Sequence, residues 1–96
     1  MPVKVINERQ TMQMLNSGKF DLVIDLRSYD EYIDKHLPGA INIPVNEILD
    51  RINEIKKYQL KNVLLYCEHG IKSVSAGKVL ILNGFKSVYS LDKGFN

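Results

Sequence analysis

The sequence predicts an α/β fold: a small central sheet, mainly parallel, flanked by helices. Two observations carry that expectation. Short apolar runs rich in β-branched residues alternate with segments of helical period, as strands joined by crossover helices require. Two of the runs, Leu22-Val23-Ile24-Asp25-Leu26 and Val63-Leu64-Leu65-Tyr66, are nearly continuous in apolar residues, which suits strands covered on both faces. The 96 residues, 45% hydrophobic and 25% charged, provide for one core and not for two, so residues 1–96 read as a single domain.

Val3-Lys4-Val5-Ile6 reads as the first strand. Asn7 then offers an N-cap with Gln10 three residues on, opening a helix that turns Met12 and Leu15 inward and that Gly18 closes. The strand from Leu22 to Leu26 follows, with the Asp25 carboxylate near its carboxyl end. Ser28 and Glu31 have capping-box spacing, which predicts a short helix through Ile33, and Pro38-Gly39 forces a turn. Ile41-Asn42-Ile43 is a short strand ended by Pro44. Asn46 is placed to cap a helix whose Ile48, Leu49, Ile52 and Ile55 form a core stripe. A polar stretch leads into the strand Val63 to Tyr66, which ends at Cys67. From Ser73 to Asn83, residues Val74, Ala76, Val79, Leu80 and Leu82 cover most of a helix circumference, predicting a well-buried helix. Gly84 is its left-handed stop, Phe85 packs against that stop, and Ser87 to Leu91 is a final strand.

The formal net charge of +2 is mild and the lysines are scattered, so no continuous basic track for nucleic acid is expected. The apolar stretches are too short to cross a bilayer, and Met1-Pro2-Val3-Lys4 does not lead into a secretory segment, so no membrane association and a cytoplasmic location are expected. One cysteine cannot form an intramolecular disulfide. Nor can Cys67 with His69 supply the four ligands of a closed zinc site, so no metal is expected. Cys67 is therefore either inert packing or reactive.

Its position favours reactivity. In open α/β sheets, sites gather outside the carboxyl ends of the strands. Cys67 follows a buried strand and is separated by a tight loop containing Gly70 from a helix beginning near Ser73. Loop amides and a helix N-terminus then converge on the sulfur and favour the thiolate, the attacking species. Lys72 and His69 add positive charge, and Glu68 opposes them. His36 is expected to make a local hydrogen bond beside the Leu37-Pro38-Gly39 turn, and Tyr29 and Tyr32 to pack along the short helix, the alternative being that they border the mouth of the site.

Leu65-Tyr66-Cys67-Glu68-His69-Gly70-Ile71-Lys72-Ser73 resembles the active-site segment of the rhodanese-like domain family. The resemblance extends to Leu22-Val23-Ile24-Asp25-Leu26-Arg27, Glu31-Tyr32 and His36 through Pro44. It continues through Gly84-Phe85-Lys86-Ser87-Val88 and Leu91-Asp92-Lys93-Gly94. It implies a rhodanese-like fold and a sulfurtransferase without cofactor. Cys67 would take sulfane sulfur from thiosulfate or a persulfide, hold it as a persulfide, and yield it to a thiol, cyanide or protein sulfur carrier.

The family pattern further implies that the amides of Glu68, His69, Gly70, Ile71, Lys72 and Ser73 bind the persulfide, that Lys72 assists, and that Asp25 and Arg27 support the fold. A rhodanese-like module that docks a partner or senses reactive sulfur is the alternative. A related phosphatase needs an arginine six positions after the cysteine, and Ser73 stands there. Three positions depart from the pattern. Lys72 replaces a frequent arginine, Glu68 occupies a position that is often basic, and Lys93 replaces the first of two glycines.

Overall fold

The apolar runs pair as one sheet. In the computed structural model, which describes residues 2–96, the strands are β1 (Lys4–Ile6), β2 (Leu22–Asp25), β3 (Ile41–Asn42), β4 (Asn62–Tyr66) and β5 (Ser87–Leu91). They lie in the order β1-β5-β4-β2-β3, and every neighbouring pair is parallel. β4 is central: Leu65 stands opposite Ile24 of β2 on one side and Ser90 of β5 on the other. The helices are α1 (Glu8–Asn16), α2 (Tyr29–Asp34) and α3 (Ile71–Leu82).

Side chains alternate across a strand, so each continuous run feeds two cores. Val63, Leu65 and Cys67 join Leu22, Ile24 and Val88 on one face, beneath Ala76 and Leu80 of α3. Leu64 and Tyr66 join Ile6, Val23 and Leu91 on the other, against Met14 and Leu15 of α1 and Tyr32 of α2.

Both capping boxes form as the sequence predicts. The Asn7 side chain accepts from the Gln10 N–H at 2.8 Å while Gln10 accepts from the Asn7 N–H at 3.0 Å, and Ser28 and Glu31 make the corresponding pair. Gly18, at φ +67°, closes α1: its N–H donates to Leu15 O and the Lys19 N–H to Met14 O. The inward stripe of α1 is Thr11, Met14 and Leu15 rather than Met12, which is exposed. Thr11 tolerates burial because its hydroxyl donates to Asn7 O at 2.8 Å.

The helix expected after Asn46 is instead two short 3-10 segments, Val45–Glu47 and Ile52–Tyr58, and Asn46 lies inside the first. The chain turns at 48–51 between them, so Ile48 and Ile55 stay buried while Leu49 swings out to 60% exposure. The helix expected from Ser73 begins at Ile71. Its buried side is Ser73, Ala76, Gly77 and Leu80, and Leu82 in the last turn is 86% exposed, because the sheet covers one side of α3 and not its whole circumference. Gly84 stops it at φ +93° and Phe85 is buried beside that stop.

At the carboxyl end of β2, the buried Asp25 carboxylate accepts from the Arg27 N–H at 2.9 Å, from Nη2 at 2.8 Å, and from the Tyr66 hydroxyl at 2.9 Å. Arg27 Nη2 also donates to Lys35 O at 2.6 Å, and the Tyr66 oxygen accepts from the Leu37 N–H at 3.0 Å. The bond to Asp25 raises the Arg27 pKa above its ordinary value, and burial raises that of Tyr66. One carboxylate thus ties β2, β4, the end of α2 and the following loop together.

Replacing Asp25 by Ala strands the buried Arg27 charge and is expected to cost about 3–5 kcal/mol, read from the urea unfolding midpoint. A loss below ~1 kcal/mol would remove this network from the determinants of the fold. Lys93, the one non-glycine residue at positive φ (+64°) among the described residues, pays a steric cost that glycine avoids. Lys93→Gly is expected to gain about 0.5–1 kcal/mol after its larger unfolded-state entropy is set against that relief, measured in the same way.

Candidate active site

β4 is the middle strand of the sheet, so the residue that follows it emerges at the centre of the sheet's carboxyl edge. Cys67 is that residue, and the alternation along β4 points its side chain to the α3 side. The chain then turns through Glu68, His69 and Gly70. Gly70 takes φ +85°, and α3 starts immediately after it. The turn through Glu68 and His69 brings the Gly70 N–H to 3.2 Å from Cys67 Sγ, and the left-handed step at Gly70 leads into α3, whose first turn brings the Ser73 N–H to 3.3 Å. The Ser73 hydroxyl lies 3.6 Å from the same sulfur.

Cys67 is 1% exposed, and its sulfur sits against the positive end of α3, whose first turn carries no acidic residue. Of the amides expected around it, those of Gly70 and Ser73 reach Sγ itself.

A second piece of backbone holds this loop. The turn after β5 packs against it so closely that a Cβ on Gly94, at φ +75°, would overlap the Glu68 carbonyl, and one on Gly70 would come within 2.8 Å of Lys93 N. The Phe95 N–H donates to Cys67 O at 2.8 Å. The strand end bearing the cysteine is therefore fixed from outside the loop.

Above the sulfur opens a cleft of about 340 Å³ lined by Cys67, Glu68, His69, Ile71 and Lys72. Glu68 is half-buried; His69, Ile71 and Lys72 are exposed. Glu68 and Lys72 also border an adjoining cleft of about 410 Å³ that runs to Tyr29, Glu31 and Glu47. Neither Glu68 nor Lys72 is ion-paired among the described residues. A larger cleft, about 600 Å³, lies by α1 and is lined by Lys35, His36 and Phe95, without Cys67.

Asp25 and Arg27 sit on the other side of the sheet from Cys67, with Asp25 accepting from the Tyr66 hydroxyl and from Arg27. Their link to the loop is indirect: the Arg27 guanidinium lies 4.9 Å over the Phe95 ring, and Phe95 bonds the Cys67 carbonyl. His36 Nδ1 pairs with Tyr32 O at 2.7 Å, a local bond as expected, and Tyr29 is exposed at the rim of the adjoining cleft instead of packed. Among the described residues no cluster of His, Cys, Asp and Glu is arranged to hold a metal, and no helix is long and apolar enough to cross a membrane.

Ser90 is a site residue that the sequence reading did not pick out. It is fully buried in β5, and its Oγ lies 2.6 Å from Ser73 Oγ. The available signal was a polar residue two positions after the buried Val88, on the same inward face.

Comparisons with known proteins agree with this architecture. The thiosulfate sulfurtransferase GlpE of Coxiella burnetii is 35% identical over 96 residues, 99% of this chain and 86% of that protein. A tRNA uridine(34) hydroxylase of Buchnera aphidicola is 34% identical over 81 residues, and the match spans about a quarter (26%) of that protein's length. The human single-domain sulfurtransferase TSTD1 superposes with a TM-score of 0.80 at 20% identity, over 99% of this chain and 92% of the human one, a likeness of fold. The model of the rhodanese-like domain matches residues 8–96, and the chain belongs to that family.

Proposed function

We propose that the protein is a sulfurtransferase and that Cys67 is its nucleophile, carrying sulfur as a persulfide. The observation that carries this reading is the pair of backbone N–H groups at 3.2 and 3.3 Å from Sγ, preorganised by the Gly70 turn and the first turn of α3. Fixed donors of this kind stabilise sulfur anions without reorganising when charge develops.

In the first step the Cys67 thiolate attacks the outer sulfur of a donor, such as thiosulfate or a persulfide. A new S–S bond forms, the donor's S–S bond breaks, and the donor remnant (sulfite from thiosulfate, a thiolate from a persulfide) leaves with the bonding pair. In the second step a thiolate or cyanide acceptor attacks the terminal sulfur, and the Cys67 thiolate departs. The cleft over Cys67 has room for that terminal sulfur, and Lys72 at its edge offsets its charge. No cofactor enters either step. The likeness to GlpE supports thiosulfate as a donor. A lone free thiol suits the cytoplasm, the proposed location.

Glu68 gives the alternative its footing. A half-buried carboxylate without an ion-pair partner among the described residues, beside the buried Cys67, suits a module that docks a persulfide-bearing partner or senses reactive sulfur with little turnover of its own.

Incubation with thiosulfate or a low-molecular-weight persulfide is expected to add the mass of one sulfur atom, removable by cyanide. Survival of the adduct in Cys67→Ser would refute the assignment, and uptake without transfer faster than that of a free thiol would favour the sensing module. Glu68→Gln removes a negative charge that repels dianionic thiosulfate more than a singly charged persulfide. The expected rise in kcat/KM is about three- to tenfold for thiosulfate and about twofold or less for the persulfide, by steady-state kinetics. An equal change for both donors would exclude charge repulsion as the role of Glu68.

A further inference from the structure

We infer that Ser90 is a positioning residue: it sets the direction of the Ser73 hydroxyl proton so that this hydroxyl serves as a third donor to the Cys67 thiolate.

The inference follows from proton counting at two buried hydroxyls. Ser90 is fully buried, and its hydroxyl has one hydrogen-bond partner among the described residues, Ser73 Oγ at 2.6 Å. A buried O–H that donates to nothing is costly. The Ser90 proton therefore points at Ser73 Oγ, because no second acceptor is within reach among the described residues. That assignment takes one lone pair of Ser73 Oγ and turns the Ser73 proton away from Ser90. Two acceptors remain for it: Gly70 O at 3.2 Å and Cys67 Sγ at 3.6 Å.

The state of the sulfur then decides between them. A neutral thiol donates its own proton to the second lone pair of Ser73 Oγ, and the Ser73 proton rests on Gly70 O. A thiolate has no proton to give and attracts one, so the Ser73 O–H rotates to it, with no movement of heavy atoms. The sulfur anion then holds three donors: the N–H of Gly70, and the N–H and O–H of Ser73. Because Ser73 Oγ accepts from Ser90 as it donates, its own bond to sulfur is strengthened.

The consequence for catalysis rests on the sulfurtransferase reading above. The Cys67 thiolate is the attacking species when sulfur arrives and the leaving group when it departs, so a donor to that anion acts in both half-reactions.

Cys67 is the only cysteine, so its alkylation by iodoacetamide reports its ionisation directly. The rate is to be followed against pH in the wild type, Ser90→Ala, Ser73→Ala and the double variant. Ser90→Ala is expected to react about two- to fivefold more slowly at pH 7, and Ser73→Ala about five- to tenfold more slowly. Both should reach the wild-type rate at high pH, where the thiol is fully ionised. In the Ser73→Ala background, Ser90→Ala should add nothing.

The inference falls if Ser90→Ala leaves the pH 7 rate unchanged, lowers the high-pH plateau, or slows the reaction equally in both backgrounds. Sulfur uptake measured by mass on the same wild-type sample separates the two proposals. Absent uptake with the alkylation pattern intact sinks sulfur transfer and leaves the hydroxyl relay standing; uptake with no effect of Ser90 does the reverse.

Discussion

The approach of the turn after β5 to the loop after β4 is the constraint on which the geometry at Cys67 depends. Gly94 lies where any side chain would overlap the Glu68 carbonyl, and Gly70 lies where one would press on Lys93 N. Backbone contact at that distance, together with the Phe95 N–H on Cys67 O, braces the loop from the neighbouring strand's turn. Gly70 meets a second demand in the same conformation: its positive φ ends the turn and starts α3, whose first turn brings the Ser73 N–H to Sγ. Both glycines are fixed by space and by dihedral angle at once, so the two amide donors at the sulfur are built into the chain path and owe little to side-chain choice.

That arrangement needs the strand ends held still, and the opposite face of the sheet provides the hold. Asp25, Arg27 and Tyr66 form a closed set of buried charge-assisted bonds, reaching Lys35 O and the Leu37 N–H. A buried ion pair gains little on average over apolar packing, but it tolerates one geometry only. Tyr66 precedes Cys67 and points the other way, so fixing the phenol fixes the direction in which the cysteine leaves the strand. Arg27 over the Phe95 ring brings the same network to the segment that bonds the Cys67 carbonyl.

Much of this was legible in the residues. The continuous apolar runs gave β2 and β4, because only strands covered on both faces carry that pattern. Asn7-Gln10 and Ser28-Glu31 gave two helix starts, because a capping box is a local bond that tertiary packing rarely overrides. The loop from Cys67 to Ser73 was readable as a cradle through Gly70 and the helix that follows. Other features were set by long-range packing and had no local signature. Ile48, Leu49, Ile52 and Ile55 fit a helical period, yet the chain turns at 48–51, so Leu49 is lost from the core. Met12 and Leu82 are apolar residues on helix sides that nothing covers. Ser90 gains its meaning only when β5 pairs with β4 and sets its hydroxyl beneath α3.

Stabilising the sulfur and admitting its donor fall to different atoms in the proposed reaction. The groups that touch Sγ are backbone amides and a buried hydroxyl, all on the inner side of the loop. The groups at the mouth are side chains. Among the described residues Glu68 and Lys72 have no ion-pair partner, His69 and Ile71 face solvent, and Tyr29 lines the adjoining cleft beside Glu31 and Glu47, which are held by Ser28 and Arg51. Fixed dipoles act at about 3 Å in a dry site, whereas exposed charges act across water and are screened. Changes at the mouth therefore shift which donors approach, by modest factors, and leave the anion's own environment intact. In the proposed reaction such a fold keeps one chemistry at Cys67 while Glu68, His69, Ile71 and Lys72 at the rim set the choice of sulfur donor and acceptor.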